Sequence, residues 1–273
     1  VREKFYHLGQ LQAVIQYSKL ADERRDAGTM ECWCLHGAVG IAADWRNFAK
    51  AMVGRGIGSR AVDLWRFLEC EPMPLVDFGK AIHADAGGEV FRGNRRALLG
   101  YSMGGRLALH ALLEAEHPWQ AAVIVSAHPG LECEAESRAR RARDAEWASQ
   151  VLTGDWQEFL EAWNSQAVLG TSPMRDALAS GSLIARRREL ARSFVDWSLG
   201  AQRPLWSRLP EITVPVLWVV GEHDFKFLEI ATRAVDLMPN AVLAVAPSSG
   251  HRVPWEAEGW FSERVAEFLL AAK

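Results

Sequence analysis

Short apolar runs rich in branched residues alternate along this chain with longer stretches in which apolar positions recur every three to four residues. The short runs are AVIQYS (13–18), MECWCLHG (30–37), SRAVDLW (59–65), RRALLGYS (95–102), QAAVIVSA (120–127), VPVLWVVG (214–221) and NAVLAVAP (240–247). They have strand length, and most are continuous rather than alternating, the pattern of strands buried on both faces. Between them, DWRNFAKAMVGRG (44–56), DFGKAIHADAGGEVF (77–91), GGRLALHALLEAEHP (104–118) and the final GWFSERVAEFLLAAK (259–273) carry the helical period. The alternation predicts an α/β fold, an open and mostly parallel sheet with helices on both faces.

One segment breaks this rhythm. Residues 131–210 contain no good strand but several helical stretches dense in arginine and tryptophan: ESRARRARDAEWASQVL, DWQEFLEAWNSQAV and GSLIARRRELARSFVDWSLG. An all-helical insertion between two core strands is most simply a cap. The expected division is a core of residues 1–130 and 211–273 with a helical cap subdomain at 131–210. Arg138, Arg140, Arg141 and Arg143 lie in a row there, and Arg186 to Arg188 form a second cluster. Solvated helix faces account for such runs as readily as a binding role does.

Composition changes this picture little. At 273 residues the chain can bury a substantial core, and 49% hydrophobic with 24% charged residues is ordinary for a globular protein. A net charge of −3 gives no electrostatic case for nucleic acid. The N-terminal VREKFYHLGQ lacks an uninterrupted apolar region, and no apolar run reaches the roughly 18 residues of a membrane span. Cys32, Cys34, Cys70 and Cys133 show no zinc spacing and read as reduced thiols, Cys32 and Cys34 on one face of a strand. The expectation is a cytoplasmic protein with no metal, no cofactor and no membrane or nucleic-acid partner.

Candidate chemistry begins at LLGYSMGGRLALH (98–110), where Gly100-x-Ser102-x-Gly104 falls between a predicted strand and a predicted helix. A serine on so tight a bend needs small neighbours, which Gly100, Gly104 and Gly105 supply, and its hydroxyl then stands clear at the mouth of the sheet. Such a hydroxyl is a poor nucleophile or base until an imidazole accepts its proton and a carboxylate orients that imidazole. Asp224 follows the strand VPVLWVVG, and His251 follows the next, so all three sit at carboxyl ends of strands, where parallel sheets bind ligands. The competitors are His223 and His128 for the base and Asp63 and Asp236 for the acid. The loop LHGAVG (35–40) is placed to supply oxyanion donors, the backbone amides of Ala38 and Met103, with His36 shaping the loop.

Taken in order, LHGAVG…ADW, LLGYSMGGRLALHAL, GEHDFKF and SGH make the chain resemble the α/β-hydrolase superfamily over nearly its whole length. A narrower match lies in SAHPGLECEAESRARRARDAEWASQVL, FLEAWNSQAVL and SLGAQRPLWSRLPEITVPVLWVVGEHDFKF. These blocks resemble the 2-succinyl-6-hydroxy-2,4-cyclohexadiene-1-carboxylate synthase (MenH) family, from about residue 33 to the end. The resemblance implies a lyase of menaquinone biosynthesis that takes a proton from its substrate and expels pyruvate. It implies Ser102 as base, relayed by His251 and Asp224, and a small anionic substrate held through its carboxylates by Arg106, Arg140 and a third arginine, taken as Arg187 from the 186–188 cluster. Tyr101 and Trp163 would line the pocket. The alternative is a serine hydrolase, whether carboxylesterase, thioesterase or carbon–carbon bond hydrolase, acting on a small carboxylate-bearing substrate. One departure stands out: where the superfamily has a Pro-Gly-His-Gly turn, this chain reads DLWRFLECEP (63–72), with Trp65 and Arg66 in place of small residues.

Overall fold

A computed structural model of the chain describes residues 30–87, 95–169 and 177–272. Six parallel strands form one sheet: β1 (Met30–Leu35), β2 (Gly58–Val62), β3 (Arg95–Tyr101), β4 (Ala121–Val125), β5 (Val216–Gly221) and β6 (Ala241–Ala246). Their order is β2-β1-β3-β4-β5-β6. The continuous apolar runs are the central strands: every residue of β4 and β5 is buried, whereas the edge strands β2 and β6 carry exposed positions. This is the α/β-hydrolase architecture. The strand expected at 13–18 and the last residues of the helix expected at 77–91 lie outside the described residues.

Strand pleating divides the core in two. Trp33, Leu98, Ile124 and Trp218 point to one face, while Cys32, Cys34, Leu99, Val123 and Leu217 point to the other. The second face is covered by Phe48 and Met52 of α1 (Arg46–Val53) together with Phe261 and Val265 of α10 (Glu258–Ala271). The first face is covered by α2 (Leu75–Gly87), α3 (Met103–Leu112) and α8 (Phe225–Leu237), which contributes Ala231 and Ala234. Helix α8 fills the strand–helix unit expected between Asp224 and His251. A short helix α9 (Val253–Glu256) follows the last strand.

Two element ends differ from the pattern reading. The strand expected over 59–65 stops at Val62, because the Asp63 carboxylate accepts the Trp65 N–H at 3.1 Å and winds Leu64–Leu68 into a 3-10 turn. Leu64, Trp65 and Leu68 of that turn are all buried. The helix expected over 104–118 ends at Leu112, and the chain has left the helical conformation by Glu116, at φ 57°.

Between β4 and β5 the described residues form helices and no strand: α4 (Glu134–Thr153), α5 (Trp156–Asn164), α6 (Ala177–Ile184) and α7 (Arg187–Asp196). Asp155 caps α5 by accepting the Gln157 and Glu158 amides at 2.8 and 3.0 Å. Helix α4 packs along α7. Leu190, Phe194 and Trp197 continue the core of the first face upward, so these helices rest on the sheet's carboxyl end. Among the described residues no helix is long and apolar enough to cross a membrane.

Candidate active site

Ser102 occupies the single residue between β3 and α3, at φ 52° and ψ −109°, a left-handed conformation that costs an L-residue with a side chain about 1 to 3 kcal/mol. The register holds it there. Its N–H donates to the Val125 carbonyl at 2.8 Å, and its own carbonyl accepts from Arg106 N–H at 3.1 Å, so strand and helix both close on it. The neighbouring glycines are required by contact. A Cβ on Gly100 would strike the Gly104 carbonyl, one on Gly104 would lie 2.6 Å from the His36 carbonyl, and one on Gly105 would lie 2.6 Å from the Ala127 methyl.

His251 and Asp224 complete a chain of hydrogen bonds from this hydroxyl. The His251 ring places Nε2 3.2 Å from Ser102 Oγ and Nδ1 2.7 Å from Asp224 Oδ2. Since a carboxylate only accepts, Nδ1 carries the proton and Nε2 offers its lone pair to the serine. Imidazole and carboxylate are both buried, and the Phe227 ring lies 4.5 Å from the imidazole, centre to centre. The loops that carry them are tied together. Ser249 accepts the His223 N–H at 2.8 Å, and the Glu222 carboxylate accepts the Ser248 N–H at 2.8 Å. Of the sequence competitors, His128 lines the same cavity, Asp63 pairs with Arg186, and neither His223 nor Asp236 enters this chain. The arrangement can move a proton off the Ser102 hydroxyl or hand one on from it.

The loop after β1 lies beside Ser102. Ala38 and Met103 both line the cavity, and among the described residues neither amide has a hydrogen-bond partner. His36 braces the loop from behind: its Nε2 accepts the Leu64 N–H at 3.3 Å, and its Nδ1 lies 2.9 Å from the Gly37 carbonyl. Trp65, where the superfamily places a small residue, does not form a cavity wall. It is buried with its ring 4.9 Å from the His36 ring, and its Nε1–H donates to the Gly40 carbonyl at 2.9 Å. Arg66 turns away to pair with Asp85. Trp65→Phe, which deletes this donor and leaves a cavity where half of the buried indole stood, is expected to lower unfolding stability by about 2 kcal/mol in urea titrations. An unchanged urea midpoint would show that neither the bond to Gly40 nor the packing of the indole braces this loop.

Above Ser102 opens a cavity of about 460 Å³, a fitting volume for a small polyfunctional ligand. Arg106, Arg140, Arg143 and Lys226 line it together with Trp163. Arg106 is buried, and its guanidinium donates to the Gln202 side-chain oxygen at 3.2 Å and the Trp197 carbonyl at 2.7 Å, both neutral acceptors. Burial, with Arg140 nearby, lowers its pKa to about 9, and Asp144 opposes that shift, so it is a cation at neutral pH. Arg140 is held from below, its Nε 2.9 Å from both oxygens of the buried Asp144, which also accepts the Ser198 hydroxyl at 2.7 Å. Trp163 stands edge-on to Trp147 and Phe194, with ring centres 5.3 and 5.2 Å away.

Two residues expected in the pocket are placed elsewhere. Tyr101 turns into the second core face, where its ring meets Trp255 at 4.9 Å and backs His251 at 5.6 Å. Strand alternation explains this, since the residue before the bend points away from the side that Ser102 faces. Arg187 lies with its guanidinium over the Trp156 ring at 5.1 Å, and its neighbour Arg186 pairs with Glu69 and Asp63. The further cations of the cavity are Arg143 and Lys226, neither of which sequence reasoning finds. Arg143 lies three residues after Arg140 and so shares its helix face, a spacing visible in the sequence. Among the described residues no group of histidine, cysteine, aspartate and glutamate side chains is arranged to hold a metal ion.

Comparison with known proteins shows the family of the chain. Residues 75–236 match the family model described as serine aminopeptidase, S33. A 2-succinyl-6-hydroxy-2,4-cyclohexadiene-1-carboxylate synthase of Pectobacterium atrosepticum is 30% identical over 86% of this chain and 92% of its own length. A Bacillus subtilis protein given the same name provisionally is 34% identical over 64% of this chain, and the match spans 65% of that relative's length. The solved structure of MenH from S. aureus superposes with a TM-score of 0.78 at 22% identity, over 89% of this chain and 94% of that one, which supports the fold. The chain belongs to the 2-succinyl-6-hydroxy-2,4-cyclohexadiene-1-carboxylate synthase (MenH) family of the α/β-hydrolase superfamily.

Proposed function

We propose that this chain is a cytoplasmic lyase of menaquinone biosynthesis. It would eliminate pyruvate from 2-succinyl-5-enolpyruvyl-6-hydroxy-3-cyclohexene-1-carboxylate to leave 2-succinyl-6-hydroxy-2,4-cyclohexadiene-1-carboxylate. The observation that carries this reading is Arg106, a buried cation on the cavity wall one helical turn past Ser102, whose hydrogen-bond partners are all uncharged. A buried guanidinium without a carboxylate is stabilised by an anion that arrives with the ligand. A hydrolase of uncharged esters has no need of it, whereas a substrate with several carboxylates does. The name carried by the relatives supports the same reading, and four free cysteines suit a reducing compartment.

In this scheme Ser102 takes the proton from a ring carbon of the substrate as its own proton passes to Nε2 of His251, with Asp224 stabilising the imidazolium that forms. The electron pair left on carbon drives the ring to a new double bond, the bond from ring carbon to enolpyruvyl oxygen breaks, and the enolate of pyruvate leaves; protonation of its methylene carbon gives pyruvate and discharges the proton taken up by the relay. The amides of Ala38 and Met103 stabilise a carbonyl oxygen whose negative charge grows as the proton departs. Arg106 and Arg140 hold carboxylates by paired N–H donors, Arg143 and Lys226 add positive charge, and Trp163 supplies an apolar wall. The relay requires no cofactor and no metal.

The second reading, a serine hydrolase, is favoured by the description of the matched family model and by the Ser102–His251–Asp224 chain itself, which supports acyl transfer equally well. One assay separates the two. The protein given the pathway precursor is expected to release pyruvate, with little turnover of p-nitrophenyl acetate; ester turnover without pyruvate would replace the lyase with a hydrolase. Arg106→Ala and Arg140→Ala are each expected to lower kcat/KM by about 2 to 4 kcal/mol, the cost of a lost charge-assisted contact. Unchanged kinetics in both would return these arginines to solvated helix faces.

A further inference from the structure

The end of β4 carries two polar groups that this mechanism leaves unused. Ser126, directly after the strand, is fully buried and lines the cavity, yet its hydroxyl has no hydrogen-bond partner among the described residues. It also sits at φ 46°, in the left-handed region that a serine occupies at a cost and a glycine does not. Nothing in its packing explains a serine there. Two residues on, His128 lines the same cavity. Its Nδ1 accepts the Gly130 N–H at 3.0 Å, and a ring nitrogen that accepts cannot hold the proton of a neutral imidazole. The proton is therefore on Nε2.

The surroundings hold that ring in place and keep it neutral. The His128 carbonyl accepts from Gln202, the Pro129 carbonyl from Leu205 at 2.7 Å, and the Gly130 carbonyl from Trp206 Nε1 at 2.9 Å. Trp206 and Phe227 stand edge-on to the imidazole, with ring centres 6.1 and 6.5 Å away. Burial first, then the positive charges of Lys226, Arg106 and Arg140, push its pKa down to about 4, with Glu132 opposing. The arginines suit carboxylates, whereas a neutral N–H donor and a hydroxyl that can donate or accept, lining one cavity, suit an uncharged oxygen.

We infer that the Ser126 hydroxyl and the Nε2–H of His128 form a second binding pair, distinct from the oxyanion amides, that takes a neutral hydroxyl oxygen of the substrate. The inference deepens the lyase reading and rests on it, since the precursor carries one ring hydroxyl among its carboxylates, while its one ketone is the carbonyl held by the oxyanion amides. The pair sets which uncharged end of the ligand enters the cavity.

Two variants and one spectroscopic measurement test the pair. Ser126→Gly removes the hydroxyl and relieves the backbone. His128→Asn keeps a side-chain acceptor for the Gly130 N–H and loses the Nε2–H. Each is expected to lower kcat/KM for pyruvate release about tenfold, with the Ser126→Gly urea midpoint at or above wild type, a combination that a structural role for Ser126 would not give. Pyruvate release within twofold of wild type in both variants overturns the inference.

Protein labelled with 15N-histidine and carrying Ser102→Ala is expected to show His128 as the neutral Nε2–H tautomer at pH 7, with that resonance moving when the precursor is added. The Nδ1–H tautomer, a cationic ring, or a signal that ignores saturating precursor also overturns it. Wild-type protein that releases no pyruvate overturns the lyase reading instead, and the spectrum, which requires binding but no turnover, then decides for or against the pair.

Discussion

Ser102→Gly is expected to give a protein that is more stable than the wild type and inactive. The serine is held at φ 52°, ψ −109°, and glycine adopts that conformation without strain, a gain of about 1 to 3 kcal/mol that its freer unfolded chain reduces by roughly 0.5 to 1 kcal/mol. The net gain is about 1 kcal/mol, or about 2 to 4 °C in Tm for a chain of this size. Pyruvate release should fall by about three to four orders of magnitude, because the proton relay loses the group that takes the substrate's proton. Ser102→Ala is the control. It should lose the same activity without the gain in stability, since alanine keeps a Cβ in a left-handed conformation. Were the glycine variant less stable than the alanine one, the strain would not be stored at this bend.

The largest effect on stability is expected from acid. His110 and His128 are both buried, and burial lowers each pKa to about 4, helped at His110 by Arg106 and Arg208 and at His128 by Lys226, Arg106 and Arg140. Unfolded, each titrates at 6.5, so between these values the unfolded chain binds more protons than the folded one. Stability is therefore fully present above about pH 6.5 and falls as the pH drops towards 4. Each histidine accounts for about 2 kcal/mol by pH 5 relative to pH 7.5, so about 4 kcal/mol together, a large share of an ordinary domain's 5 to 15 kcal/mol. Urea midpoints at the two pH values measure it. His110→Phe should remove about half of the difference, and a pH-independent midpoint would show that these rings are already charged or exposed.

How far the sequence speaks for itself differs between the two halves of the site. The bend at Ser102 is local: strand, glycines and helix follow one another within a dozen residues, and the steric demand that selects the glycines is met by backbone a few residues away or on the adjoining strand. Asp224 and His251 are legible by the same logic, each directly after a buried apolar run. The arginines are not. Helical spacing shows that Arg140 and Arg143 share a face, but not that this face looks onto Ser102, which depends on how α4 leans on α7. Arg187 turns onto Trp156 for the same reason, a neighbour that no local pattern names. Tyr101 suggests itself for the pocket through adjacency to the serine, although strand alternation sends it to the opposite face. Trp65 reads as an obstacle in the chain and becomes a brace for the loop of Ala38 because the chain around it coils at Asp63.

The spacing of the relay along the chain also bears on how the protein is made. Ser102 and His251 are 149 residues apart in sequence and meet only after β3, β4, β5 and β6 have aligned. Contacts of such separation form late, when the entropy of closing the intervening chain has already been offset by the rest of the sheet. A polypeptide emerging from the ribosome thus carries its reactive serine, through the synthesis of three further strands and every helix between them, with no imidazole to awaken it. Chemical competence arrives with the loop after β6, so the chain is inert towards its surroundings until the sheet is finished.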